Sequence, residues 1–216
     1  MLLVAFAGVA LSALYILGLH DFRHASISQL LEVQTIIELP VLPYLMLVVP
    51  QISGFSLRQL GFSLPSLKNV GLAVAGAIVM IVVVQGSANI IEHLSRAHHE
   101  QDVTKLLKRL HGGSQYLLFV LTAVFVAPLV EEFTFRVFIF NAVLRRAPFL
   151  VAAIISGVLF GIAHLDLYVA GPLAVGGVIL ATVYYRTRNA WCSMITHAVF
   201  NGATVVATFV AKDLVK

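Results

Sequence analysis

Charge is scarce in this sequence. Asp, Glu, Lys and Arg make up 11% of its 216 residues, against about 25% in soluble domains, which excludes a water-facing surface of the usual kind. The one cysteine, Cys192, can form no internal disulfide, and no Cys pattern suggests a structural zinc site. Long runs of one charge are missing too. The net charge of +4 comes from 14 Lys and Arg against 10 Asp and Glu, scattered in twos and fours, which points to lipid headgroups and not to nucleic acid. What fills the chain instead is apolar: 60% of residues are hydrophobic and the mean hydropathy is +0.97, so disorder is excluded and lipid is the expected solvent.

A bilayer core about 30 Å thick takes about 20 apolar residues of helix, which satisfies its own backbone where no water can. Seven runs qualify: Met1 to Leu19, Val33 to Leu57, Asn69 to Ile91, Gly112 to Val130, Ala147 to Leu165, Leu167 to Tyr185 and Asn189 to Ala211. The expected fold is therefore an all-α polytopic membrane protein, a bundle of seven helices, or eight, enclosing a polar cavity. The first run has no basic segment before it and reads as a retained span, not a cleaved signal. Pro40 and Pro43 predict a kink in the second. Gln51 to Lys68 has the composition of an interfacial loop. Glu92 to His111, with Arg96, Lys105, Lys108 and Arg109 beside Leu94, Val103, Leu106, Leu107 and Leu110, reads as a basic amphipathic helix on the membrane surface. His98, His99, Glu100 and Asp102 fall in that link and read as ordinary surface. Basic residues number six on the side of the links after spans two, four and six and seven on the other, so charge does not orient the chain. One integral domain is expected, with helices and links over 1–112 and a polar-bearing core over 113–216.

Ionisable groups inside a membrane cost several kcal/mol unless paired or hydrated, so each marks a site. Glu38 lies in the second run. Glu131, Glu132 and Arg136 follow the run ending at Val130, His164 closes the fifth run, and His197 and Asn201 stand inside the seventh. With the helix continued past Pro128, Glu132 and Arg136 are four apart and can pair, while Glu131 points about 100° away and has no cation on its own helix. On a wet surface such a cluster is commonplace; here apolar residues flank it on both sides. Phe160 and His164 share a helical face, and Gly157 and Gly161 form a Gly-x-x-x-Gly stripe that predicts close approach of another backbone.

Two carboxylates, two imidazoles and an amide from three spans suit hydrolysis in lipid: a base that holds water, and donors where an oxyanion develops. Glu131 with His164 can take the water, and His197 with Asn201 can face the anion. Alternatively Glu131, His164 and His197 are ligands of zinc or another divalent metal. A third reading makes the same polar residues packing glue in a non-catalytic immunity or scaffold protein. A proton-coupled transporter is disfavoured by the lack of an inverted repeat.

The ordered set Glu131-Glu132-x-x-x-Arg136, Phe160-x-x-x-His164 and His197-x-x-x-Asn201 resembles the CPBP family (CAAX protease and bacteriocin processing, also called Abi), which includes the Ras-converting CAAX endopeptidase. The likeness runs over roughly Gly113 to Ala211, and Arg58-Gln-Leu-Gly61-Phe resembles a stretch often found upstream of that core. It implies a membrane peptidase in which Glu131 and His164 activate water, His197 and Asn201 stabilise the oxyanion, and Glu132, Arg136 and Phe160 shape the site. It requires no cofactor, with a metal the alternative. The implied partners are membrane lipids and a peptide or lipidated-peptide substrate, either a prenylated CAAX-type tail or a leader peptide. The implied location is a prokaryotic cell membrane. Signatures of other intramembrane proteases are absent: there is no His-Glu-x-x-His, no Gly-x-Gly-Asp and no Gly-x-Ser-Gly.

Overall fold

The computed structural model describes residues 41, 43, 46–96, 105, 107, 110 and 112–214. All regular structure among them is helical. After helical residues 46–53 come five long helices: α1 (Leu67–Ser95), α2 (Gly113–Leu144), α3 (Phe149–Ala163), α4 (Leu167–Thr187) and α5 (Ala190–Leu214). Four of them, α1, α2, α4 and α5, are long and apolar enough to cross a membrane, and the chain is a multi-pass membrane protein.

That is fewer than the seven or eight spans expected. Met1 to Leu19 and Glu38 lie outside the described residues, as does much of Val33 to Leu57 and of the Glu92 to His111 link. The fifth expected span is a 15-residue helix, α3. At 1.5 Å per residue it is about 22 Å long, short of the hydrocarbon thickness. The fourth expected span does not stop at Val130. It runs on to Leu144, 32 residues in all, and carries Glu131, Glu132 and Arg136 within it. In the described part of the amphipathic link, Leu107 and Leu110 are buried with Phe119 and Val205, and Tyr116 Oη donates to Leu110 O, so these two leucines pack on the bundle.

Local chemistry sets the helix ends. Ser66 accepts from Asn69 N at the start of α1 and Asp166 from Tyr168 N at the start of α4, the usual way to satisfy orphan amides. Residues 54–66 then clasp the turn between α4 and α5. Gly61 has φ +97, and a Cβ there would stand 2.9 Å from Ala190 N, while Ala190 N donates to Gly61 O. Only glycine fits both the dihedral and the approach. Asn189 Nδ2 donates to Ser63 O, and Tyr184 Oη to Leu60 O.

The tightest helix contact is α3 on α4. A Cβ on Gly157 would lie 2.6 Å from Ala174 O, one on Gly161 would collide with Ala170 O, and one on Gly177 would sit 2.7 Å from Gly157 Cα. The Gly-x-x-x-Gly stripe therefore does what its spacing predicts: it lets backbones meet where lipid gives no hydrophobic drive. This contact sets Phe160, on α3, against the interior.

Candidate active site

Two π-helical stretches flank the glutamates. Thr122–Val126 and Phe133–Phe140 are wound with five-residue hydrogen bonds, and Ala127–Glu132 between them is α-helical. Proline explains the first. Pro128 has no N–H and crowds the carbonyl one turn back, which ordinarily breaks or kinks a helix. Here the helix widens instead: Ala127 N donates to Thr122 O, five residues back. The next carbonyl in that register is Ala123 O, which Pro128 cannot serve. Asn201 Nδ2 donates to it at 2.8 Å. Wide turns of this kind recur at functional sites.

Carrying the glutamates through the bundle costs desolvation, which neighbours offset. Glu132, Arg136 and His197 are fully or almost fully buried. Arg136 Nε lies 3.2 Å from Glu132 Oε2, as the four-residue spacing predicts. The approach is not aligned as a hydrogen bond, so the pair is Coulombic, and among the described residues Arg136 Nη1 has no hydrogen-bond partner either. Nη2 donates to Gly177 O at 3.2 Å, and the guanidinium lies over the Phe160 ring at 4.5 Å, a favourable cation–π geometry.

His197 joins the two glutamates. Its Nδ1 is 3.0 Å from Glu132 Oε1 and its Nε2 is 3.7 Å from Glu131 Oε2. The divergent nitrogens of one ring thus meet two consecutive side chains that point about 100° apart. Facing a carboxylate already tied to arginine, Nδ1 is the donor, so in the neutral ring Nε2 accepts. His164 is held in the same tautomer: Nδ1 is 2.9 Å from Phe160 O, a pure acceptor, which leaves Nε2 free. Phe160 packs edge-on against both rings, with centroids 4.9 Å from His164 and 5.5 Å from His197. Just beyond His164, Leu165 takes a left-handed φ of 55, a conformation costly for a branched side chain, and this reverses the chain into α4.

The structure thus brings Glu131, Glu132, Arg136, Phe160 and His197 together, with exposed His164 against Phe160 and half-buried Asn201 one turn beyond His197 on the Ala123 carbonyl. Glu131, expected to share a water with His164, has its Oε2 3.7 Å from His197 Nε2. Within the cluster it alone is substantially open, its side chain 27% exposed against 3% for His197 and 0% for Glu132. Glu131, His164 and His197 do not gather as metal ligands: among the described residues no three His, Cys, Asp or Glu side chains form such a group. Ser193 was not foreseen. It is fully buried, one turn before His197 on the same helix face, and its hydroxyl donates to Ala190 O; the four-residue spacing of Ser193, His197 and Asn201 is the signal that could have found it. No sequence signal marks Gly177 O or Ala123 O as partners.

Residues 113–203 match the family described as type II CAAX prenyl endopeptidase Rce1-like. A curated relative, "Putative membrane peptidase YdiL" of Bacillus subtilis (strain 168), is 34% identical over 89 residues, which is 41% of this chain and 36% of the relative. The match therefore spans about a third of that relative's length. No solved structure matches.

Proposed function

Residues 113–203 being a CAAX-protease-family segment, we propose that this membrane protein is an endopeptidase in which Glu131 activates a water for attack on a peptide carbonyl. The contrast within the cluster carries this reading. Glu132, Arg136 and His197 are sealed and mutually compensated, while Glu131 is open and held only by a 3.7 Å contact. A positioning group is best locked and a proton acceptor best left free to reach.

The proposed cycle uses this chain's own side chains. Water lies between Glu131 and the free Nε2 of His164. Glu131 takes its proton as the oxygen attacks the carbonyl carbon, and the C=O electron pair moves onto oxygen. Oxyanion stabilisation falls to the second amide N–H of Asn201, whose first is committed to Ala123 O, and to Nε2 of His197 in its imidazolium form, its extra proton taken from solvent before the substrate binds and kept through the cycle. As the C–N bond breaks, Glu131 returns the proton to the leaving amine. Glu132, fixed by Arg136, keeps the His197 ring at its angle, the usual task of a third group behind an imidazole.

The substrate reading is a prenylated CAAX-type tail, with a leader peptide as the second class. The test is the full chain reconstituted in vesicles and given a prenylated peptide, its unprenylated twin and a leader peptide, with products mapped by mass spectrometry. The proposal expects internal cleavage, faster for the prenylated peptide. Cleavage of the leader peptide alone would move the substrate to the second class, and cleavage of none would favour the scaffold reading.

A further inference from the structure

A second feature lies at the other end of α2. A cavity of about 530 Å³ opens where α2 and α4 end and residues 46–53 turn into the 54–66 clasp. Asn141 is ten residues beyond Glu131, so this mouth is about 15 Å along the helix from the glutamates. Three arginines line it: Arg145, Arg146 and Arg188. All three are exposed, and none has a carboxylate partner among the described residues. Two are braced by aromatic walls, with the Arg145 guanidinium 4.9 Å from the Phe55 ring and that of Arg188 4.7 Å from Tyr185. Deeper in, the lining turns apolar with Val49, Leu60, Val137 and Phe140. A polar pair, Asn141 Nδ2 donating to Tyr184 Oη at 2.7 Å, crosses the wall. Among the described residues no Asp or Glu lines the cavity.

Basic residues at helix C-termini offset the macrodipole, but that role needs neither a cavity nor an apolar floor. Three guanidiniums at the end of two spans, without carboxylate partners among the described residues, complement a phosphate, with bidentate geometry that lysine lacks. The apolar interior suits an acyl chain and not a free anion, and the volume is that of a small-molecule site. We infer that this cavity binds one anionic phospholipid, its phosphate among Arg145, Arg146 and Arg188 and its acyl chain along the apolar floor. Basic pockets between spans are known devices for anionic headgroups. This site is independent of the hydrolytic reading.

Native mass spectrometry of the full chain in mild detergent, titrated with phosphatidylglycerol or with phosphatidylcholine of the same chains, tests it. Phosphatidylglycerol should bind at least about tenfold more tightly. R145Q/R146Q/R188Q should erase the preference, whereas R58Q/R186Q, which removes basic residues that do not line the cavity, should keep it. Ala142→Trp fills the cavity without changing charge, so it tests the same site even where the triple variant fails to fold, and it should lower occupancy. Equal binding of the two lipids, equal loss in the R58Q/R186Q control, undiminished binding to Ala142→Trp, or full competition by inorganic phosphate alone would each overturn the assignment.

Discussion

Removing Arg136 and Glu132 together should cost far less than the sum of the two single removals. Both side chains are 0% exposed and 3.2 Å apart, so either single truncation strands a buried charge, at about 3–5 kcal/mol. Two such losses would sum to about 6–10 kcal/mol if independent. In Glu132→Leu/Arg136→Met no charge is stranded, and replacing a buried pair by apolar residues is itself near neutral. What remains is the His197 Nδ1–H without its acceptor and the Gly177 carbonyl without its donor, about 1–3 kcal/mol each and so about 2–6 kcal/mol together. The double variant should therefore recover about 3 kcal/mol of the summed loss. Equilibrium unfolding in mixed micelles, followed by helical circular dichroism, reads all four corners of the cycle. Additivity within about 0.5 kcal/mol would refute the pairing as the element that lets the glutamates sit inside a span.

Two further outcomes follow from the backbone geometry. Asn201→Ala should destabilise by about 1–3 kcal/mol by orphaning Ala123 O, and adding Pro128→Ala, which supplies the missing N–H in that register, should recover about 1 kcal/mol by the same unfolding assay. Recovery of nothing would contradict the link between the proline and the amide. Gly161→Val should separate α3 from α4, because even a Cβ there collides with Ala170 O; the loss should exceed about 2 kcal/mol, and a melting midpoint equal to that of the parent would refute the contact.

Much of the site was legible because it rests on helical spacing. Glu132 and Arg136 pair through one turn, Gly157 and Gly161 meet α4 through one turn, and His197 in an apolar run had to face inward. Illegible were the features that depend on a second helix or on a departure from the α register. Pro128 followed by two glutamates and an arginine resembles the end of a span, and nothing local says that a wider turn carries the helix through to Leu144. That His197 reaches both glutamates, 3.0 Å from Glu132 and 3.7 Å from Glu131, depends on how α5 packs against α2. The short α3 was read as a full span from composition, since hydropathy does not register that Pro148 and the Leu165 turn limit the helix to Phe149–Ala163. Asn201 was expected at the anion, and the first call on its amide is a carbonyl that only the π register leaves vacant.

The most direct measurement is the turnover of Glu131→Gln beside its unfolding midpoint, in the same vesicles as the parent chain. Because Glu131 is open and only loosely held, the substitution should leave the midpoint within about 1 kcal/mol of the parent while lowering turnover at least about 10²-fold. Retained turnover with an unchanged fold would contradict Glu131 as the group that activates water.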